Sequence, residues 1–128
     1  MTSQLKVDKL QGRTAAGSIV VTSEGTSVET NLQQGLCKAW CTASQPGTVE
    51  DSFNVSSQGD GGTGDFETNL TNNMSSVNSC PTVSCQANDF AAVESVSTSL
   101  INQFSIQRVD SIALSDLRAY LQVTGDLA

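Results

Sequence analysis

Two groups of side chains in this 128-residue sequence have types and spacing that could do chemistry. The first is the pair Asp60 and Asp65, which brackets the run Gly61-Gly62-Thr63-Gly64. Paired carboxylates can serve as acid and base on a glycosidic bond when a groove holds them at a fixed separation. The run also shares part of the G-G-x-G-x-D pattern of calcium-binding nonapeptide repeats. Here the aspartate falls one position early and Phe66 takes the ligand slot. A single copy also cannot build a site between successive turns. The flanks point elsewhere. Val49, Phe53 and Val55 alternate before the glycines, and Phe66, Thr68 and Leu70 alternate after them. Alternation, glycines, alternation predicts a β-hairpin. Asp60, Thr63 and Asp65 are then solvated at its tip, as candidate surface-loop binding residues. Phe53, Val55 and Phe66 join Trp40, the one tryptophan, as the candidate core.

The second group is Cys37, Cys41, Cys80 and Cys85. Three-residue and four-residue gaps lie within the loose range of a zinc knuckle. In a strand, however, Cys37 and Cys41 would stand about 13 Å apart at ~3.3 Å per residue, too far to share one ion. They would also share a face, with Trp40 on the other. Cys80 and Cys85 flank Pro-Thr-Val-Ser, and a turn there would bring them within disulfide reach. Free thiols, a Cys80–Cys85 bridge and zinc therefore stay open, with a reducing compartment favouring thiols.

The totals remove much other chemistry. The chain has no histidine, which excludes His-based triads and His metal sites. Its formal charge of -7, with six scattered Lys and Arg, disfavours nucleic acid as a partner. No apolar run reaches membrane-spanning length, and the first residues carry no apolar signal segment, so synthesis in a cytosol is expected. An enzyme is not expected, nor is a cofactor.

What must position these residues is a β framework. Charged residues make up only 15 %, and the polar surface falls to Ser, Thr, Asn, Gln and Gly, which suit short strands and turns better than long helices. Residues 1–35 read as an arm. Leu5 and Val7 alternate with charged residues, two glycines follow, and a β-branched run sits near residue 20. Residues 36–128 read as one compact domain. Pro46-Gly47 marks a turn. Residues 71–89 are polar and turn-rich, with one short strand near their end. Two strands are predicted around 92–98 and 103–109. Residues 112–123 are ambiguous: Leu117, Ala119, Leu121 and Val123 alternate, while Leu114, Leu117 and Leu121 also suit a helix.

Three segments resemble one family. "SQLKVDKLQG" resembles the N-terminal arm of bacteriophage virion proteins, particularly tail-fibre and related proteins of marine phages. "LCKAW", followed by "DSFNVSSQGDGGTGDFETNLTNNM", resembles their central segment, and "VTGDLA" resembles their ending. The chain departs after "NNM", where "SSVNSCPTVSCQAND" replaces an aromatic, β-rich strand. The resemblance implies an all-β protein: a small antiparallel β-sandwich, jelly-roll-like and trimeric, with an extended N-terminal arm. Leu5, Val7 and Leu10 would dock that arm to the virion or to its own copies. It implies a non-enzymatic structural protein of the virion, a tail fibre or fibre-like subunit for host attachment. The alternative is a capsid-bound head fibre or decoration protein. The implied partners are two further copies, other virion proteins, and a host surface glycan or protein met by loops 58–64 and 74–89.

Overall fold

The structure is a computed structural model that describes residues 4–14, 19–22, 25, 27–86, 89–108 and 113–128. The chain divides into two compact units, Met1–Gly35 and Leu36–Ala128. In the first, β1 (Val20–Thr22) pairs antiparallel with β2 (Glu29–Asn31), and one helical turn, α1 (Leu32–Gly35), follows. Leu5 and Val7 alternate with charged residues as a strand would, but the described residues 4–14 form no strand. Alternation alone does not make a strand without a partner to complete its ladder.

Among the described residues, the second unit is all-β, with two four-stranded antiparallel sheets. One has the order β4-β3-β10-β7, from Thr48–Phe53, Ala39–Gln45, Ala119–Thr124 and Cys80–Cys85. The other has the order β5-β6-β9-β8, from Val55–Gly62, Asp65–Leu70, Leu100–Arg108 and Asp89–Val96. One buried cluster draws on both sheets. Ala39, Cys41, Ala43, Ala119, Leu121 and Val123 come from the first, and Phe66, Leu70 and Ile101 from the second, with Met74. Each strand contributes alternate residues because side chains leave a strand on opposite faces.

The Pro46-Gly47 turn joins β3 to β4 as expected. The alternation through Val49, Phe53 and Val55 does not mark one strand. It is cut at Asn54, the one non-glycine residue with positive φ (58°) among those described. Asparagine tolerates the left-handed region better than other side chains, and there the chain passes from one sheet to the other. The corner is well tied. Asn54 Nδ2 donates to Lys38 O at 2.9 Å and Asn72 O at 3.2 Å, and its Oδ1 accepts from Asn72 N at 2.7 Å. The start of β3, the corner and the end of β6 are thereby held together.

The predicted hairpin exists as β5 and β6, with Phe66, Thr68 and Leu70 buried on one side as expected. Its tip is shorter than the glycine run suggests: only Thr63 and Gly64 lie outside the strands. Gly59 and Gly61 sit within β5 and leave room for carboxylates of β6. A Cβ at Gly59 would lie 2.7 Å from Glu67 Oε2, and one at Gly61 would overlap the Asp65 carboxylate.

Residues 119–124 are a strand, not a helix, while 113–118 are irregular. β10 lies between β3 and β7, so the strand nearest the end of the sequence sits inside its sheet. Past it, Gly125 adopts φ 141° with Met74 Cε 3.0 Å from where a Cβ would stand. Ser75 N donates to Asp126 O at 2.8 Å and Ala128 N to Asn73 O at 2.9 Å. Thus "NNM" and "VTGDLA", far apart in sequence, clasp each other.

Candidate functional site

Among the described residues, the outward face of β3, β10 and β7 carries an open groove. Ala39, Cys41 and Ala43 point into the core from β3, and Ala119, Leu121 and Val123 do so from β10. Trp40, Thr42, Tyr120 and Gln122 must therefore point out. Register sets them in rows. Phe53, Trp40, Gln122 and Thr82 are successive cross-strand partners, and Asp51, Thr42, Tyr120 and Ser84 form the next row. Trp40 and Tyr120 are diagonal neighbours, with about 7–8 Å between such positions. Between them lies a shallow groove of about 240 Å³, lined by Trp40, Thr42, Thr82, Ser84, Tyr120 and Gln122, with Cys41 and Leu121 at its base.

The groove is neutral. Its lining holds no lysine, arginine, aspartate or glutamate. At its edge Asp51 is exposed and accepts a hydrogen bond from Ser52 N at 2.8 Å. Burial pushes the Cys41 thiol up from 9.0 to about 11, so it stays protonated at neutral pH and is a poor nucleophile. Trp40 and Tyr120 are 37 % and 38 % exposed, so both offer aromatic surface to an incoming group.

The residues singled out in the sequence are placed as follows. Phe66 is fully buried, and Val55 is half-buried against the core. Trp40 and Phe53 are not core residues, and that expectation is corrected. Phe53 is 51 % exposed and stands directly opposite Trp40 on the outward side. Aromatic residues usually supply core volume, but the inward positions of β3 are taken by Ala39, Cys41 and Ala43.

The Cys80–Cys85 bridge is also corrected. Pro81–Ser84 is strand rather than turn, and the two cysteines end β7 about 16 Å apart at ~3.3 Å per residue. All four cysteines are free thiols. Cys37 lies just ahead of β3, where its thiol donates to Ala39 O at 3.1 Å.

Asp60, Thr63 and Asp65 do not converge. Asp60 Oδ1 accepts from Gly62 N at 3.0 Å, Thr63 is exposed at the tip, and Asp65 Oδ1 is buried with no partner. Asp116, from the irregular stretch before β10, accepts from Gly64 N at 2.6 Å. Among the described residues, no three His, Cys, Asp or Glu side chains come together as a metal site requires. Leu5, Val7 and Leu10 are 80 %, 56 % and 55 % exposed. Residues 87 and 88 of the second candidate loop, and 109–112, lie outside the described residues.

Sequence reasoning missed Thr42, Thr82, Ser84, Tyr120 and Gln122. Their parity was readable, since each alternates with a more buried neighbour. What could not be read was that β10 sits between β3 and β7, which brings positions 40, 82 and 122 into one row. Comparison with protein-family models, curated proteins and solved structures found no match to this chain.

Proposed function

We propose that this chain is a non-enzymatic structural protein of a bacteriophage virion. In this reading it is a tail fibre or fibre-like subunit, and its Leu36–Ala128 unit is a β-sandwich displayed for host attachment. The observation that carries the reading is the outward face of β3, β10 and β7. Aromatic rings and small polar side chains stand there on hydrogen-bonded strands around an open groove, a form suited to contact rather than turnover. The resemblance of "LCKAW", "DSFNVSS…GTGDF" and "VTGDLA" to phage virion proteins supports it. Those segments supply the first strand of the unit, the Asn54 corner with its hairpin, and the Gly125 clasp.

A homotrimer belongs to the same reading. The exposed Leu5, Val7 and Leu10 would gain cover from other copies or from a virion partner, and three copies would turn weak contacts into avidity. Gold-labelled antibody against the chain, applied to intact virions and viewed by negative stain, tests the assignment. Label clustered on the tail is the expected result. Label spread over the head would make it a head fibre or decoration protein, and unlabelled particles would overturn the virion assignment.

A further inference from the structure

We propose that the groove between Trp40 and Tyr120 is a binding site for an uncharged saccharide, one that engages a pyranose ring by stacking and by hydrogen bonds. The inference deepens the attachment reading and rests on it for its biological setting. Its chemistry stands on the groove itself. A pyranose ring has an apolar C–H face and a rim of hydroxyls. The first needs an exposed aromatic surface, and the second needs neutral groups that both donate and accept.

Both are present in the right relation. Trp40 and Tyr120 are diagonal across β3 and β10, while Gln122 and Thr42 complete the square between them. Thr82 and Ser84 on β7 continue the two rows outward. Among the described residues, none of Thr42, Thr82, Ser84, Tyr120 or Gln122 is engaged in a side-chain hydrogen bond within the chain, so their polar groups are available to a ligand. The volume of about 240 Å³ falls below the ~300–1,000 Å³ of sites that enclose a drug-sized ligand. It suits one ring of a longer chain lying across an open face.

Charge selects the class of sugar. The lining contains no cation, Asp51 stands at the edge opposite Thr42, and the chain carries a formal charge of -7. A sulfated or carboxylated glycan would be repelled, whereas hydroxyls of a neutral one can donate to Asp51. This places recognition on a sheet face rather than on the loops that the sequence suggested. Strand positions are also pre-organised, so binding would order fewer groups.

The chain's only tryptophan is Trp40, so its intrinsic emission reports directly on the site. The experiment titrates the full-length protein with hexasaccharides of glucose, mannose, galactose and N-acetylglucosamine, and with hexagalacturonate as the acidic control. A saturable blue shift with at least one neutral hexamer is expected, with Kd of about 1 mM for a single contact. Tyr120→Ala and Gln122→Ala should each weaken it about tenfold, with both variants still showing a cooperative thermal transition.

No saturable shift with any neutral hexamer at about 10 mM, well above that Kd, would overturn the proposal. Equal or tighter binding of hexagalacturonate would overturn the neutral selection. If sedimentation shows that Tyr120→Ala dissociates an oligomer, and sugars leave Trp40 emission unmoved, the face is a contact between copies and the proposal fails. The virion assignment is tested separately. Labelled virions without a sugar response sink this inference alone, whereas a sugar response without labelled virions sinks the virion assignment alone.

Discussion

β3 and β10 fill the core of the Leu36–Ala128 unit differently from β6 and β9. The first pair turns in Ala39, Cys41, Ala43, Ala119, Leu121 and Val123, four of them very small, and turns out Trp40 and Tyr120. The second pair turns in Phe66, Thr68, Leu70, Ile101 and Gln103, and four of these are among the largest fully buried side chains described. Small positions opposite large ones let two layers interdigitate without voids. The difference teaches that buried bulk and exposed aromatic surface are kept apart. The sheet that gives least volume to the core can present its large rings to solvent.

The sharpest way to break this comparison is to cut a ring on the bulky side. Phe66 is fully buried between Asp60 and Gln103, its cross-strand partners. Phe66→Ala should lower stability by about 3–5 kcal/mol, through lost transfer energy and the cavity left behind. Urea denaturation measures this. A loss below about 1 kcal/mol, the scale of a non-core site, would mean that the bulk of the core lies elsewhere.

Next in size is the corner that keeps the two sheets distinct. Asn54→Ala loses the contacts to Lys38 O and to Asn72, and it places an alanine at φ 58°. A non-glycine residue there costs about 1–2 kcal/mol, and the lost bonds add about 1 kcal/mol or more, so a total near 3 kcal/mol is expected. Asn54→Gly keeps the backbone free and should lose less. If glycine proves as damaging as alanine, the side-chain bonds dominate and the backbone conformation is incidental.

The pH dependence comes third. Cys41 is 2 % exposed, and its thiol is raised to about 11 from 9.0 by burial. The folded chain therefore keeps this proton after the unfolded chain has lost it. Stability is fully present below pH 9 and falls as pH rises toward 11, by up to about 2–3 kcal/mol. Cys41→Ala should flatten that slope between pH 9 and 11. An unchanged slope would place the cause in other groups and show that water reaches the β3 side of the core.

The legible part of the fold followed the local alternation. Phe66, Thr68 and Leu70 could be read as one buried face because a period of two survives without knowing the partner strand. Pro46-Gly47 and the existence of the hairpin were legible for the same local reason. The sense of β3 was not. Its parity separates Trp40 from Cys41, yet only the facing sheet decides which parity is inside, and Phe66 and Ile101 come from residues far along the chain. Cys80 and Cys85 failed similarly. Pro-Thr-Val-Ser carries a turn residue, but β10 offers it a full antiparallel ladder, with proline at the sheet edge, where a missing donor is tolerated. The groove was illegible for the most basic reason: a site assembled across three strands exists only once the register is set.

The smallest expected effect completes the comparison. Phe53 is the same residue type as Phe66, but it is 51 % exposed and stands beside Trp40 on the outward face. Phe53→Ala leaves no closed cavity. What it removes is one cross-strand aromatic pair, worth about 0.2–1 kcal/mol, so the urea midpoint should hardly move. The emission of Trp40 should shift to the red, because its neighbour across the ladder no longer shields it. A large loss of stability with a blue-shifted tryptophan would show that this face packs against something in solution. The aromatic residues of β3 and β4 would then belong to a buried layer, and the division of labour between the two sheets would not hold.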